Sequence, residues 1–213
     1  MLNYSVDELQ EMLHVNRDIA VENWKRFHAF HTHETRQPAV FTYDGMVFQR
    51  LAPETFSDDE LRYANEHLLI SSFLYGLLRP LDLINKYRLE GNVVLSENNG
   101  KSMFDYWKPL LTDWFIRKIK ADDGILMNLA SDEMRNLFDW KRVKKEVKII
   151  TPEFKVEKNG RLKTIVIYTK MCRGTMTRYI LKNKITDKES LKVFEYEGFL
   201  HDGSAGEWTF SLK

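Results

Sequence analysis

Cysteine is nearly absent from this sequence. Cys172 is the single thiol in 213 residues, which excludes an internal disulfide framework and fits a chain kept in a reducing compartment. Long apolar runs are missing as well: no stretch reaches the roughly 18 to 20 apolar residues that a membrane-spanning helix needs. The first residues lack the basic-then-apolar pattern of a secretory signal, so a soluble, cytoplasmic protein without membrane contact is expected. Proline (5) and glycine (10) are sparse, and no Pro/Gly/Ser-rich linker, internal repeat or low-complexity tract interrupts the chain. One domain covering residues 1–213 is therefore expected. There is no G-x-S-x-G, no P-loop and no G-x-G-x-x-G, so the usual signatures of a serine nucleophile and of nucleotide or dinucleotide binding are missing. No cofactor is implied.

What is present is an ordinary globular composition, with 43% hydrophobic and 30% charged residues, and a net charge of +1 that conceals an asymmetry. Between Lys141 and Lys184 stand fourteen Lys/Arg against three Glu, a local +11, which leaves −10 for the rest. One face of the molecule is thus able to attract a polyanion while the whole stays near neutral.

Local signals outline the elements. Ser5-x-x-Glu8 is a capping box, and Leu9, Met12, Leu13, Ile19, Ala20 and Trp24 then follow helical spacing, predicting one or two helices from residue 6 to about 30. Asp44-Gly45 between β-formers predicts a hairpin over Val40–Phe48. Ser57-x-x-Glu60 opens a helix over 58–66, and Ser102 precedes a third with Phe104, Trp107, Leu111, Trp114, Phe115 and Ile119 on one face. Ile125–Leu129 reads as a short strand. Val147–Phe154 and Leu162–Tyr168 read as strands joined through Asn159-Gly160, followed by a basic amphipathic helix from Gly174 to Lys184. Thr186-x-x-Glu189 caps a short helix, and Trp208–Phe210 is a last strand. The fold class expected is α/β in the mixed α+β sense: a single compact domain with a mixed sheet and surrounding helices.

The chain is organised around Leu68–Gly91, LLISSFLYGLLRPLDLINKYRLEG, where Gly76 and Pro80 predict a turn between them. Here Arg79, Asp82, Lys86, Arg88 and Glu90 are threaded through apolar residues, so some are paired or line a site. The run LYGLLRPLDLINKYRLEG, with NLASDE (128–133), YTKMCRGTMTRYI (168–180) and EGFLHDGSAGEWTF (197–210) in the same order, resembles the peroxide-stress protein YaaA family. The resemblance implies one compact α/β domain with a helix-hairpin-helix-like element, DNA binding through a basic cleft, and a part in surviving hydrogen peroxide by binding DNA or limiting iron-driven damage. Family members begin with a short apolar strand and a Ser-Pro-Ala-Lys segment. This sequence does not contain it, so any site residue carried there is not among these 213.

Lys170, Arg173, Arg178, Lys182 and Lys184 crowd one helix and its entry, and Gly174 is placed to let a phosphate backbone approach the helix N-terminus. Together with Arg79, Lys86 and Arg88 they are the candidate DNA contacts, reaching phosphates of duplex DNA with little sequence preference. A solvated helix face is the plain alternative. The run Lys141–Lys148, the densest in basic residues, reads first as a solvated loop leading into a strand; a binding site is the alternative, since the run is shaped like the basic patches that bind nucleic acid and could reinforce a cleft. A second function class, an enzyme acting on nucleotides or nucleic acid, would use Asp132 or Glu133 as general base, Lys170 or Arg173 as anion clamp and Tyr168 as acid or orienting group. The structural alternative for these polar residues is an ion-pair network, for instance Asp82 or Glu90 with Arg79 or Arg88. His28, His31, His33 and Glu34 lack a second ligand pair at zinc spacing and are expected to bind no metal. Cys172 beside Arg173 invites a peroxide-sensing thiolate, but a small, partly buried cysteine is expected. A monomer is the simplest assembly.

Overall fold

The computed structural model describes residues 1–30 and 36–213; His31, His33 and Glu34, weighed above as metal ligands, lie outside the described residues. The fold is mixed α/β, as the sequence predicts. Backbone contacts divide the chain into two compact units. The first comprises Met1–Thr42, Leu69–Lys118 and Ser131–Glu146, and the second Tyr43–Leu68, Ile119–Ala130 and Val147–Lys213.

Helix α1 (Val6–Leu13) starts at the predicted capping box: Ser5 Oγ accepts from Glu8 N at 3.3 Å while the Ser5 N–H donates to the Glu8 carboxylate at 2.7 Å. His14, at φ 50, ends it, and the Asn16 side chain caps α2 (Arg17–His28) by accepting from Ile19 N at 2.9 Å. The predicted Val40–Phe48 hairpin does not form. Strand β1 (Gln37–Pro38), helix α3 (Ala39–Thr42) and helix α4 (Met46–Leu51) occupy that region. Gly45 has φ −62 and is the N-cap of α4, whereas a type I′ turn needs positive φ. The amides of Ala39 and Val40 bond to the carbonyls of Asp82 (2.8 Å) and Pro80 (3.0 Å), so tertiary contacts override the β propensity of this run.

Helix α5 (Asp58–His67) follows the second capping box, at Ser57. Strands β2 (Ile70–Ser72) and β3 (Gly76–Leu78) pair antiparallel, Ile70 opposite Leu78 and Ser72 opposite Gly76, and β4 (Leu83–Ile84) pairs with β1. Their turns lie at Phe73–Tyr75 and Arg79–Asp82. Gly76 (φ 79) therefore closes the first turn, and the predicted single turn between Gly76 and Pro80 is replaced by two. No residue of Leu68–Gly91 is helical; strands and turns make up this stretch.

Helix α6 (Met103–Lys120) is capped by Ser102, whose Oγ accepts from Asp105 N at 3.2 Å. Strand β5 (Ile125–Met127) runs parallel to β6 (Lys148–Ile150). Between them the basic run forms helix α7 (Trp140–Glu146) in place of the predicted loop. Strand β7 (Glu153–Lys158) turns back into β8 (Arg161–Lys163) through Asn159 (φ 55) and Gly160 (φ 69), the predicted hairpin. The predicted first strand, Val147–Phe154, is divided between β6 and β7, and the second is shorter than predicted: it stops at Lys163, and Val166 already begins α8 (Val166–Lys182). A short helical turn, Lys188–Val193, is capped by Asp187, which accepts from Glu189 N and Ser190 N, where Thr186 was expected. Strands β9 (Leu200–His201) and β10 (Thr209–Leu212) end the chain.

The second unit holds a four-stranded mixed sheet in the order β8-β7-β10-β9, with β10 parallel to β7 and antiparallel to β9. Phe154, Val156, Cys172, Met176, Phe194, Phe199 and Phe210 form its core. Phe154 and Phe194 each lie 5.7 Å, ring to ring, from Phe210. In the first unit, ring pairs such as Phe73–Phe104 (5.3 Å) and Phe115–Phe138 (4.2 Å) join the elements.

Candidate nucleic-acid interface

In the first unit, side chains bond to the backbone of the segment from Asn85 to Arg88. Asn23 is buried. Its Nδ2 donates to Arg88 O (2.9 Å), and its Oδ1 accepts from Arg88 N (2.8 Å), both bonds a neighbouring strand would make. Asn85 Nδ2 donates to Phe30 O (2.6 Å), its N–H donates to the Tyr75 hydroxyl (3.1 Å), and the Tyr87 and Ser72 hydroxyls meet at 2.6 Å. Burial holds the Tyr75 phenol proton above its ordinary range, partly offset by the Asn85 N–H. With Asn85 and Leu89 buried, Lys86 and Arg88 are left exposed. Arg88 pairs with Glu90 at 3.1 Å, one of the ion pairs the sequence suggested. Asp82 instead accepts from the Arg79 N–H at 2.7 Å, leaving the Arg79 side chain exposed.

Helices α6 and α7 share this unit. Thr112 Oγ1 accepts from Asp139 N at 2.9 Å and donates to Lys108 O at 2.6 Å. Arg142 pairs with Asp113 of α6 and, at 2.8 Å, with Glu146 one turn on; bonds to Glu146 and then Asp113 hold its proton above even the usual arginine range. Val143 of α7 is fully buried. At about 100° per residue, Lys141, Lys144 and Lys145 cover the opposite side of the helix. All three are exposed, and they form no ion pair among the described residues. Asp132 and Glu133, the candidate bases, stand exposed on the helical turn Asp132–Leu137, where Asp132 pairs with Arg135 at 2.9 Å.

In the second unit, α8 carries the other candidates. Gly174 lies inside the helix, not at its N-terminus. A Cβ there would fall 2.2 Å from Val47 O, so this glycine serves helix–helix approach and not a phosphate. Four residues on, Arg178 Nη1 donates to Leu51 O (3.2 Å), to Ala52 O (3.1 Å) and to Thr55 Oγ1, which ties α8 to the end of α4, where Ala52 has φ 48. Lys182 Nζ donates to Glu60 (2.7 Å) and to Thr55 O (3.1 Å), with the Phe56 ring 5.0 Å away. Lys182 and the Ser57 amide hold the Glu60 carboxyl below its ordinary range. Arg173 is half-buried and engaged, whereas Lys170 is exposed. Tyr168 is half-buried in the first turn of α8, its ring 6.0 Å from Phe199. Asn128, the buried member of NLASDE, bonds through its backbone to Ile150 O at 2.8 Å. Cys172 is fully buried, and desolvation, then the Glu197 charge, pushes its thiol up to about 12, which is the behaviour of a core residue and not of a sensing thiolate.

The structure thus places Arg79, Lys86, Arg88, Asp132 and Glu133 in the first unit and Tyr168, Lys170, Arg173, Arg178 and Lys182 in the second. Sequence reasoning noted the basic run of α7 but read it as a loop, not as a helix. The signal was present: Lys141, Lys144 and Lys145 at i, i+3, i+4 around an apolar Val143 is helical spacing.

Among the described residues no group of three or more His, Cys, Asp or Glu gathers at metal-binding distance, and no helix is long and apolar enough to cross a membrane. Comparison with known proteins finds a family model described as peroxide stress protein YaaA, matched by residues 1–205. A UPF0246 protein of Bacteroides fragilis is 60% identical over 200 residues, 93% of this chain and 78% of the relative. The UPF0246 protein of Bacteroides thetaiotaomicron is 58% identical over 208 residues, 97% and 81% of the two chains. That of Neisseria gonorrhoeae is 37% identical over 210 residues, 95% and 80%.

Proposed function

Because the chain belongs to the peroxide stress protein YaaA family, we propose that it is a cytoplasmic DNA-binding protein of the response to hydrogen peroxide, holding duplex DNA through largely sequence-independent phosphate contacts. The observation that supports this is the α7 stripe of Lys141, Lys144 and Lys145. Among the described residues these stand exposed and without acidic partners, on a helix anchored from its other side by Val143 and Arg142. Three unneutralised ammonium groups on one helix face attract a polyanion, and their long flexible stems suit phosphates more than base edges. Within the same unit Arg79, Lys86 and Arg88 are the further contacts, and in the second unit Lys170 is a candidate by itself; Arg178 and Lys182 act by holding α8 to the chain around Thr55.

The test is fluorescence anisotropy of a labelled duplex across a salt series, comparing the wild type with Lys141→Gln/Lys144→Gln/Lys145→Gln. The expected result is weaker binding by the variant and a log–log salt slope shallower by up to about 2.7, roughly 0.9 for each phosphate that the variant no longer neutralises. A wild type that shows no salt-dependent binding at low salt overturns the proposal, and an unchanged slope in the variant removes α7 from it.

A further inference from the structure

We infer that α6 and α7 form a platform for single-stranded nucleic acid, on which Tyr106 and Trp114 stack unpaired bases while the α7 lysines hold phosphates; this rests on the polyanion-binding proposal and names the form of nucleic acid the same surface takes.

Three observations converge. Tyr106, Leu110 and Trp114 are 37%, 56% and 38% exposed and recur every fourth residue of α6, so they share one stripe, with about 6 Å of axial rise between neighbours. The sequence put Trp114 on the buried face with Leu111 and Phe115; the structure turns it outward. Three large apolar side chains in one exposed stripe are more than the single scattered residues a soluble surface normally shows. Tyr106 is braced edge-on by Trp107 at 5.0 Å, and Trp107 Nε1 donates to Phe73 O at 2.8 Å.

The second observation is the seam between the helices. On a helix turning about 100° per residue, Asp113 falls on the same side of α6 as Tyr106, about two turns further on, and Arg142 lies beside Lys145 on α7. The Asp113–Arg142 ion pair therefore joins the edge of the aromatic stripe to the edge of the lysine stripe. The third is that this seam is fixed: Thr112 caps Asp139 N at 2.9 Å, and Phe115 stacks on Phe138 at 4.2 Å.

Charge decides the occupant. An aromatic stripe joined through an ion pair to a lysine stripe fits bases attached to phosphates, the combination that single-strand binders use because every base has a π-face. A duplex hides its base faces and has nothing to offer Tyr106 and Trp114.

The test measures anisotropy of labelled oligo(dT) of about 12 nucleotides and of a duplex of the same length. It compares the full wild-type chain, Tyr106→Ala/Trp114→Ala, and Tyr106→Phe/Trp114→Phe. The expected result is that the alanine variant binds oligo(dT) about 10- to 100-fold more weakly with duplex affinity unchanged, while the phenylalanine variant keeps wild-type affinity for both. An alanine variant that keeps oligo(dT) affinity, or loses both ligands equally, overturns the platform. So does a wild type that binds duplex but not oligo(dT), leaving the duplex proposal standing. A wild type that binds neither at low salt overturns both.

Discussion

Lys182, near the C-terminal end of α8, reaches 2.7 Å to the carboxylate of Glu60 in the first turn of α5, 122 residues earlier in the chain. The same carboxylate accepts the Ser57 N–H of the capping box at 2.8 Å. One glutamate thus starts a helix and fastens a second helix to it.

Replacing Lys182 by alanine removes the bonds to Glu60 and Thr55 O together. The half-buried pair is worth more than an exposed one, and a fall in Tm of roughly 2–4 °C is expected by calorimetry. The pH dependence has a definite sign. The Glu60 pKa is lowered in the folded chain, so its contribution is present above the unfolded glutamate pKa and is lost as pH falls through the folded value. Melting curves between neutral and strongly acidic pH are expected to show Lys182→Ala converging on the wild type at the acid end. Curves that stay parallel would exclude this pair as the cause.

How much of this was legible beforehand depended on the range of the interaction. The boxes at Ser5 and Ser57 lie within four residues, and the structure forms both. Asn159-Gly160 made its hairpin because both residues adopt positive φ, whereas the similar Asp44-Gly45 signal failed because burial of Ala39 and Val40 decided that segment. The β-branched run before Tyr168 looked like strand and became the start of α8, a tertiary override of propensity. Among the candidate site residues, the exposed lysines could be seen from charge alone. The internal engagement of Arg178 and Lys182 could not, since their partners lie 122 to 127 residues away.

Gly174→Ala is expected to destabilise the second unit sharply. Its Cβ would lie 2.2 Å from the Val47 carbonyl oxygen and 2.8 Å from Arg50 Cβ. Because backbone on that side cannot swing away as a side chain can, about 2 kcal/mol or more of overpacking cost follows, even though alanine favours helix. Urea titration measures it directly. A variant as stable as the wild type would mean that α8 and α4 separate at little cost.

Cys172 is expected to resist alkylation by iodoacetamide at neutral pH in the folded chain and to react rapidly in urea, because burial holds its thiol near 12. A thiol whose pKa is raised on folding stabilises the protein below its unfolded value and loses that contribution as pH climbs above about 9. Cys172→Ala is therefore expected to flatten the loss of stability between neutral pH and pH about 10. Rapid labelling of the native protein would contradict the burial.

Because the amide of Asn23 stands in for a strand beside Arg88, 65 residues further along, the shape of that segment is set by distant chain and not by its own sequence. Contacts of such separation close late and carry a high loop-closure cost. The stretch presenting Lys86 and Arg88 is thus expected to be among the last parts of the first unit to order during folding, and the first to loosen when α2 frays.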